Sequence, residues 1–430
     1  MGKYYIIIKK DKKALVDRNG NIIAGWFDNI NANDLINGRT DFFVAEKKDK
    51  KALFYKDGTQ ISEWVDDIYA TPLLEGKSNF FLVKNEGKEA LVNKNGHFVS
   101  MWEDLIIADN LLEGITNVFV VYRKDGNNTE AVFNTEGKQL TPWSYSVENI
   151  GLLKGESDYI LVDLGRVNYP CYAIYDKNGK YIAGDFYEVL EKGLLKGQSD
   201  FFIAKRKEES FLPDGVKYYY ALYDKKGNNL TGWVDKISTS GLVEGNSNFV
   251  VICKNGKDAI FKYNGTNLEQ ISPWFDRIVD EGLITGKSNF ILVGKEVGKG
   301  YNTSTKWAIF DRNFNRITDW FDYISTSGVI NGRSNYFIAE KENKKAVFDK
   351  SGRQLCPWVS YLDAKDFVLG KSPTFRAKIK GKWIYFTKYP DICLIKASSD
   401  DPLVKKIFDF SLIRSHFSHF FKNNFKLDKS

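Results

Sequence analysis

Residues 52–76 read ALFYKDGTQISEWVDDIYATPLLEG, and the phrase returns as ALVNKNGHFVSMWEDLIIADNLLEG from Ala90 and as ALYDKKGNNLTGWVDKISTSGLVEG from Ala221. Working outward from these, nine copies align on three anchors. The first is an alanine: Ala14, Ala52, Ala90, Ala131, Ala173, Ala221, Ala259, Ala308 and Ala346. The second is a tryptophan: Trp26, Trp64, Trp102, Trp143, Trp233, Trp274, Trp320 and Trp358, with Asp185 in its place in copy five. The third is a glycine: Gly38, Gly76, Gly114, Gly155, Gly197, Gly245, Gly286, Gly332 and Gly370. From the tryptophan position to the glycine the spacing is twelve in every copy (38−26 through to 370−358); from alanine to tryptophan it is also twelve, except in copy seven (274−259). A fixed register of this kind marks a repeat architecture and governs every later reading.

Local chemistry explains the anchors. After each alanine a short apolar run leads into a turn such as Asp17-Arg18-Asn19-Gly20 or Asp176-Lys177-Asn178-Gly179, the signal of a β-hairpin. The second hairpin strand runs into Trp-Phe-Asp or Trp-Val-Asp, and the eight tryptophans are expected to be the structural core. Beyond the glycine a polar pair, Ser78-Asn79 for instance, precedes a third apolar strand such as Phe80–Val83. Continuous apolar runs of this kind suggest strands covered on both faces by neighbouring copies. The fold class expected is therefore all-β: a tandem array of three-stranded repeats, as a curved or superhelical solenoid, with a propeller-like ring as the alternative.

The array is expected over residues 3–389, as nine full copies and a truncated tenth in which Ile384 holds the alanine position. Residues 390–430 form a linker and a C-terminal helix. There Ser399-Asp400-Asp401-Pro402 is a helix start, and Leu403, Ile407, Phe410, Ile413, Phe417, Phe420 and Phe421 recur at helical spacing over 402–422. That helix is expected to cap the array, with partner docking or attachment to an anionic membrane surface as its alternatives.

Composition supports this reading. Thirty-one Phe, 23 Tyr and 10 Trp against 2 Met, with 35 Gly, favour strands and tight turns. The formal charge is +7, but 62 basic and 55 acidic residues alternate closely, as on a solvated surface and unlike a nucleic-acid patch. Cys171, Cys253, Cys356 and Cys393 are far apart and lack metal or redox spacing. The sequence has no apolar run suited to a signal or a membrane span, so a cytoplasmic location is expected.

The array resembles the bacterial WG-repeat (KWG) family, whose units read roughly Lys-Trp/Tyr-Gly, an apolar pair, Asp-x-x-Gly, then an aromatic followed by Asp. Lys306-Trp307-Ala308-Ile309-Phe310-Asp311 and the later Trp320-Phe321-Asp322 carry the likeness, which covers about residues 3–388. Departures are Ala where the family has Gly, Phe314 in place of a turn glycine, and Asp185 in place of Trp. The resemblance implies a repeat scaffold and brings no shared catalytic residues.

Apart from the longer alanine-to-tryptophan interval of copy seven, chain length varies at one structural position, between the third apolar strand and the next alanine. The enlarged turns span 123–130, 164–172, 205–220 and 294–307. They carry Arg166, Tyr169, Lys205, Arg206, Phe211, Lys217, Tyr218, Tyr219, Lys299 and Tyr301, a basic and aromatic mixture typical of recognition surfaces. Insertions at one place in a repeat fall on one rim, often the binding rim.

Other motifs read as structural. Gly-Lys-Ser at 76–78, 286–288 and 370–372 lacks the upstream glycine of a phosphate loop. Asp28, Asp66, Asp104, Asp235, Asp276 and Asp322 repeat in one environment, whereas acid–base catalysis needs carboxylates in different ones. His97, His416 and His419 lack ligand neighbours, so neither a metal nor a cofactor is expected. The expectation is a non-enzymatic scaffold binding another protein of unknown identity through the enlarged loops. Carbohydrate binding or glycan processing is the alternative, and single-stranded nucleic-acid binding a third.

Overall fold

The chain is seen here as a computed structural model that describes residues 3–388 and 393–394, except 125, 127–128, 166–169, 191–192, 210–214 and 299–302. Each alanine anchor sits in a strand paired antiparallel with the apolar strand before it. Phe42–Lys47 pairs with Lys50–Tyr55, setting Ala45 opposite Ala52, and Phe80–Asn85 pairs with Lys88–Asn93, setting Val83 opposite Ala90. Lys48 and Asp49, which join the first pair, both have positive φ (52° and 60°), as the tight turn matching strand twist requires.

The segment after each tryptophan leaves one sheet and opens the next. Val65 bridges Lys51 in its own sheet, and Asp67–Tyr69 then pairs with Phe80–Asn85 in the following one. The described residues are mostly β, in ten small antiparallel sheets, with a few one-turn helices. Seven sheets lie in the unit Met1–Ile271 and three in the unit Ser272–Ser430. The helix expected over 402–422 lies outside the described residues, and no helix among those described is long and apolar enough to cross a membrane.

All nine anchor glycines have positive φ. In six copies they close a single helical turn that the sequence reading lacked. After Asn33–Ile36 the Gly38 N–H donates to the Leu35 carbonyl (3.0 Å) and the Arg39 N–H to the Asp34 carbonyl (2.8 Å), the pairing that ends a helix on a left-handed glycine.

The second hairpin strand, expected to run into the tryptophan, is also different. In most copies the segment around the tryptophan touches its neighbour only at isolated bridges, as at Phe54 with Gln60 before it and Lys51 with Val65 after it. Between the bridges a side-chain oxygen takes the place of the backbone. The Leu53 N–H donates to Ser62 Oγ (2.9 Å), Leu91 to Ser100 (2.8 Å), Val132 to Thr141 (3.0 Å), Leu222 to Thr231 (3.0 Å) and Ile309 to Thr318 (3.0 Å). Copies one and five carry Ala24 and Ala183 at this position, and there the strand is continuous, over Ile22–Phe27 and Tyr181–Phe186. In copy nine the Cys356 thiol takes the same place, accepting the Val347 N–H (3.5 Å), whereas the two alanine copies pair on through register shifts.

The core requires a correction. Trp26, Trp64, Trp102, Trp143, Trp233, Trp274, Trp320 and Trp358 are not its centre: Trp26 (36%) and Trp274 (38%) are exposed and the other six are half-buried. The nine alanine anchors are fully buried, as are Phe43, Phe81, Phe119, Phe202 and Phe337. These phenylalanines mostly stack on the residue across the strand pair: Phe43 on Phe54 (5.3 Å), Phe119 on Phe133 (5.9 Å), Phe202 on Tyr223 (5.2 Å) and Phe337 on Phe348 (5.4 Å). The indoles meet these stacks from the rim, Trp64 lying 5.9 Å from both Phe27 of the preceding sheet and Phe54 of its own. Strand alternation gives the inward place to the next residue, so Phe27, Val65, Val234, Phe321 and Val359 are buried instead.

Candidate functional site

The aspartates after the tryptophans are hairpin latches. Asp28 accepts the Lys48 N–H (2.8 Å), Asp66 that of Glu86 (2.6 Å), Asp104 that of Lys124 (2.7 Å) and Asp322 that of Glu342 (2.7 Å). A lysine from the sheet before the latched hairpin also reaches three of them, Lys12 to Asp28, Lys50 to Asp66 and Lys306 to Asp322. The lysine hydrogen bond first and the turn N–H second hold these three carboxyls below the usual carboxylate range. A depressed folded pKa contributes stability that is present above the unfolded value of about 3.9 and is lost as pH falls through the folded one. Melting temperature is therefore expected to be flat above about pH 5 and to fall below about pH 4. In an Asp28→Asn, Asp66→Asn, Asp322→Asn triple variant that acid slope becomes shallower, as calorimetry across the range would register.

At the position of variable length, two of the enlarged turns are largely not loops. The strand pair Phe201–Glu209 and Val216–Asp224 keeps its register through Lys205 opposite Tyr220, Arg206 opposite Tyr219, Lys207 opposite Tyr218 and Glu208 opposite Lys217. Phe290–Val297 and Ser304–Asp311 extend in the same way, with Lys295 opposite Lys306. The sequence reading missed this continuation because Lys, Arg and Glu between strands read as loop. The strand-forming run Val216-Lys217-Tyr218-Tyr219-Tyr220, rich in aromatic residues, was the available signal.

Of the ten residues expected at the rim, Arg166, Tyr169, Phe211, Lys299 and Tyr301 lie outside the described residues. The other five come together on the first hairpin, with a different face for each parity of position. On one face Lys205 Nζ lies over Tyr218 (4.3 Å) and Tyr187 (5.6 Å) and pairs with Glu188 (2.6 Å). On the other the Arg206 guanidinium lies over Trp233 (4.9 Å) and Tyr219 (5.2 Å), and Lys217 lies over Tyr219 (4.7 Å). The Lys205 ammonium is held above its usual pKa, first by the hydrogen bond to Glu188, and the Tyr218 phenol is raised, first by its hydrogen bond with Tyr187. Cations over aromatic faces stiffen both faces of the hairpin.

Arg206 occupies a recurrent position. Its counterpart Arg123 stacks on Trp143 at 4.1 Å and forms a forked pair with Glu103 (2.8 Å to each oxygen), and Lys9 lies 5.9 Å from Trp26. A cation at this place lies against the rim side of the indole.

An open groove of about 1020 Å³ crosses three successive glycine turns, 114–117, 155–158 and 197–200. Several of its polar groups serve the stack. Thr116 Oγ donates to the Leu152 carbonyl (2.9 Å), Ser199 Oγ to that of Val243 (2.7 Å), and Asp158 and Asp200 pair with Lys177 (2.9 Å) and Lys225 (2.8 Å). Among the described residues no group of His, Cys, Asp and Glu is placed to hold a metal ion.

Fold and site together define a tandem array of small β-sheets bearing lengthened hairpins at one position of its repeat. No family model matches the chain, and no curated protein matches it. Among solved structures it is similar to the β-propeller domain of the Trilobed protease from Pyrococcus furiosus, at 10% identity and TM-score 0.23, over 75% of this chain and 94% of that one. Pyrococcus horikoshii acylaminoacyl peptidase matches at 14% identity and TM-score 0.24, over 68% of this chain and 52% of that one. TolB from Acinetobacter baumannii matches at 11% identity and TM-score 0.22, over 64% and 76%.

Proposed function

We propose that this chain is a non-catalytic repeat scaffold that binds another protein through the lengthened hairpins at the variable position of its repeat. The supporting observation is the 201–224 hairpin, which continues four residue pairs beyond Lys205 and Tyr220 and carries Lys205, Tyr218, Arg206, Tyr219 and Lys217 in cation–aromatic contacts. Aromatic side chains, and an arginine already held against a ring as Arg206 is, have little conformational freedom left to lose on binding, which suits them as anchors for a partner. The likeness of the repeat to WG-repeat proteins is in keeping with a scaffold. A curved stack, as opposed to a closed ring, belongs to the same proposal, since ten sheets exceed the roughly 4–8 blades usual in rings. So does a cytoplasmic location, supported by Cys171, Cys253 and Cys356 standing as free thiols.

The test is a graft. Residues 206–219 are replaced by Asn-Gly, joining Lys205 to Tyr220 through the two-residue turn that copy seven uses at Asn255-Gly256. The expected result is a melting temperature within about 3 °C of the parent, because none of the described residues removed is fully buried, with loss of the protein that the parent captures from its host's extract. Equal capture by the grafted and parent proteins would overturn the proposal.

A further inference from the structure

Nine of the ten sheets are edged by a short strand that follows a tryptophan-position segment, as Asn29–Asn31 edges Phe42–Lys47 and Asp67–Tyr69 edges Phe80–Asn85. Among the described residues the sheet spanning Tyr4–Phe27 is the exception. Its strand Tyr4–Lys9 pairs on one side only, with Lys12–Asp17. Exposure shows the consequence. The residue opposite the anchor position is 0–3% exposed in the nine other sheets, from Ala45 and Val83 through Ala377, whereas Ile7 is 38% exposed; Tyr5 is 39% and Ile8 68% exposed.

The edged sheets also show what chemistry fits there. The segment Asp-x-Ile recurs as Asp28-Asn29-Ile30, Asp66-Asp67-Ile68, Asp104-Leu105-Ile106, Asp235-Lys236-Ile237, Asp276-Arg277-Ile278 and Asp322-Tyr323-Ile324. The aspartate N–H donates to the strand carbonyl, as from Asp28 to Glu46 and from Asp322 to Glu340 (2.8 Å each). Its carboxylate accepts a turn N–H, as from Lys48 or Glu342. The isoleucine is mostly buried, Ile30 at 6%, Ile106 at 4% and Ile324 at 2%. In the first sheet Ile8 stands where Glu46 does and Lys10 where Lys48 does. Alternation along the strand turns the backbone of Ile6 and Ile8 outward, and no carboxylate among the described residues accepts the Lys10 N–H. Lys9 and Lys10 add positive charge beside that position.

We propose that the edge strand Tyr4–Lys9 takes up, in trans, an extended Asp-x-Ile segment of a partner protein. The segment runs antiparallel, its aspartate on the Lys10 N–H and its isoleucine toward Ile7. Strand addition of this kind draws affinity from main-chain hydrogen bonds and specificity from alternate side chains. The proposal does not rest on the hairpin reading, since 4–9 and 201–224 are separate surfaces.

The experiment titrates the full chain into a fluorescein-labelled nonapeptide, Ser-Glu-Trp-Val-Asp-Asp-Ile-Tyr-Ala, which copies residues 62–70, and reads anisotropy. Saturable binding is expected. Ile8→Pro removes an outward N–H that the sheet does not use, and should weaken binding about tenfold or more while leaving the circular-dichroism melt near the parent's. Ile8→Thr, which keeps the backbone donor, should bind within about threefold of the parent. A peptide with Ala in place of its first Asp should bind about tenfold more weakly. The proposal is overturned by no saturable binding, by equal binding to Ile8→Pro, or by indifference to the aspartate. It is also overturned if sedimentation shows a dimer that Ile8→Pro abolishes, which would give the edge to a second copy. The chain grafted at 206–219 should bind the peptide like the parent, which separates this result from the hairpin's.

Discussion

Gly227→Ala is expected to lower the stability of the unit Met1–Ile271 by about 2–4 kcal/mol, while Gly20→Ala costs only about 1 kcal/mol. Both glycines close the same Asp-x-x-Gly turn, Gly20 donating to the Asp17 carbonyl (3.1 Å) and Gly227 to that of Asp224 (3.0 Å), with φ of +83° and +85°. Their left-handed strain is therefore equal. What differs is the neighbour. A Cβ on Gly20 would meet nothing within 4 Å, whereas on Gly227 it would lie 2.1 Å from the carbonyl oxygen of Ile182 in the preceding copy. The same contact recurs from Gly58 to Ile23 (2.2 Å), Gly96 to Ile61 (2.4 Å) and Gly352 to Ile317 (2.5 Å). A backbone oxygen cannot rotate away as a side chain would, so the sheets must separate. Urea unfolding of the two variants measures the difference, and equal losses would remove the idea that turn glycines set the spacing between sheets.

That contact also shows what was legible in the sequence. The equal spacing of alanine, tryptophan and glycine disclosed the repeat because each anchor has one steric duty per copy, and the alanines are indeed fully buried. Phe314, flagged as replacing a turn glycine, keeps the glycine's left-handed conformation (φ +62°), so the turn is imposed by its surroundings and not by residue preference alone. The one-turn helices were not legible. Thr71-Pro72-Leu73-Leu74 is too short for a periodic signal, and its hydrogen bonds become clear only with the glycine that follows. The Ser or Thr two residues before the tryptophan was visible as a residue, but its role needs the facing N–H, which lies nine positions away in sequence. At the candidate site five of the ten basic and aromatic residues named from the sequence fall on one hairpin. Their pairing of Lys205 with Tyr218 and of Arg206 with Tyr219 depends on the hairpin register, which charged residues obscure.

Phe202→Ala is expected to cost about 3–5 kcal/mol, more than Trp233→Ala in the same sheet at about 2 kcal/mol. Size alone argues the reverse, since an indole has more apolar surface than a phenyl ring, and large rings at equal intervals suggest a tryptophan core. Location reverses the order. Phe202 is fully buried, stacked on Tyr223 at 5.2 Å with the planes 11° apart and 6.1 Å from Phe186, so its removal leaves a closed cavity between facing strands. Trp233 is half-buried at the rim under the Arg206 guanidinium, and water can enter the space its ring vacates. Its loss therefore forfeits part of its burial and one cation–aromatic contact but leaves no void. Denaturant midpoints of the two variants measure the ranking, and hydrogen exchange at Leu222 and Ile203, both fully buried beside Phe202, locates the damage. A Trp233→Ala loss equal to or greater than that of Phe202→Ala would return the core to the indoles. The reverse ranking makes the tryptophans edge seals on a core of alanine and stacked phenylalanine, and leaves their outer faces available to the basic side chains that gather there.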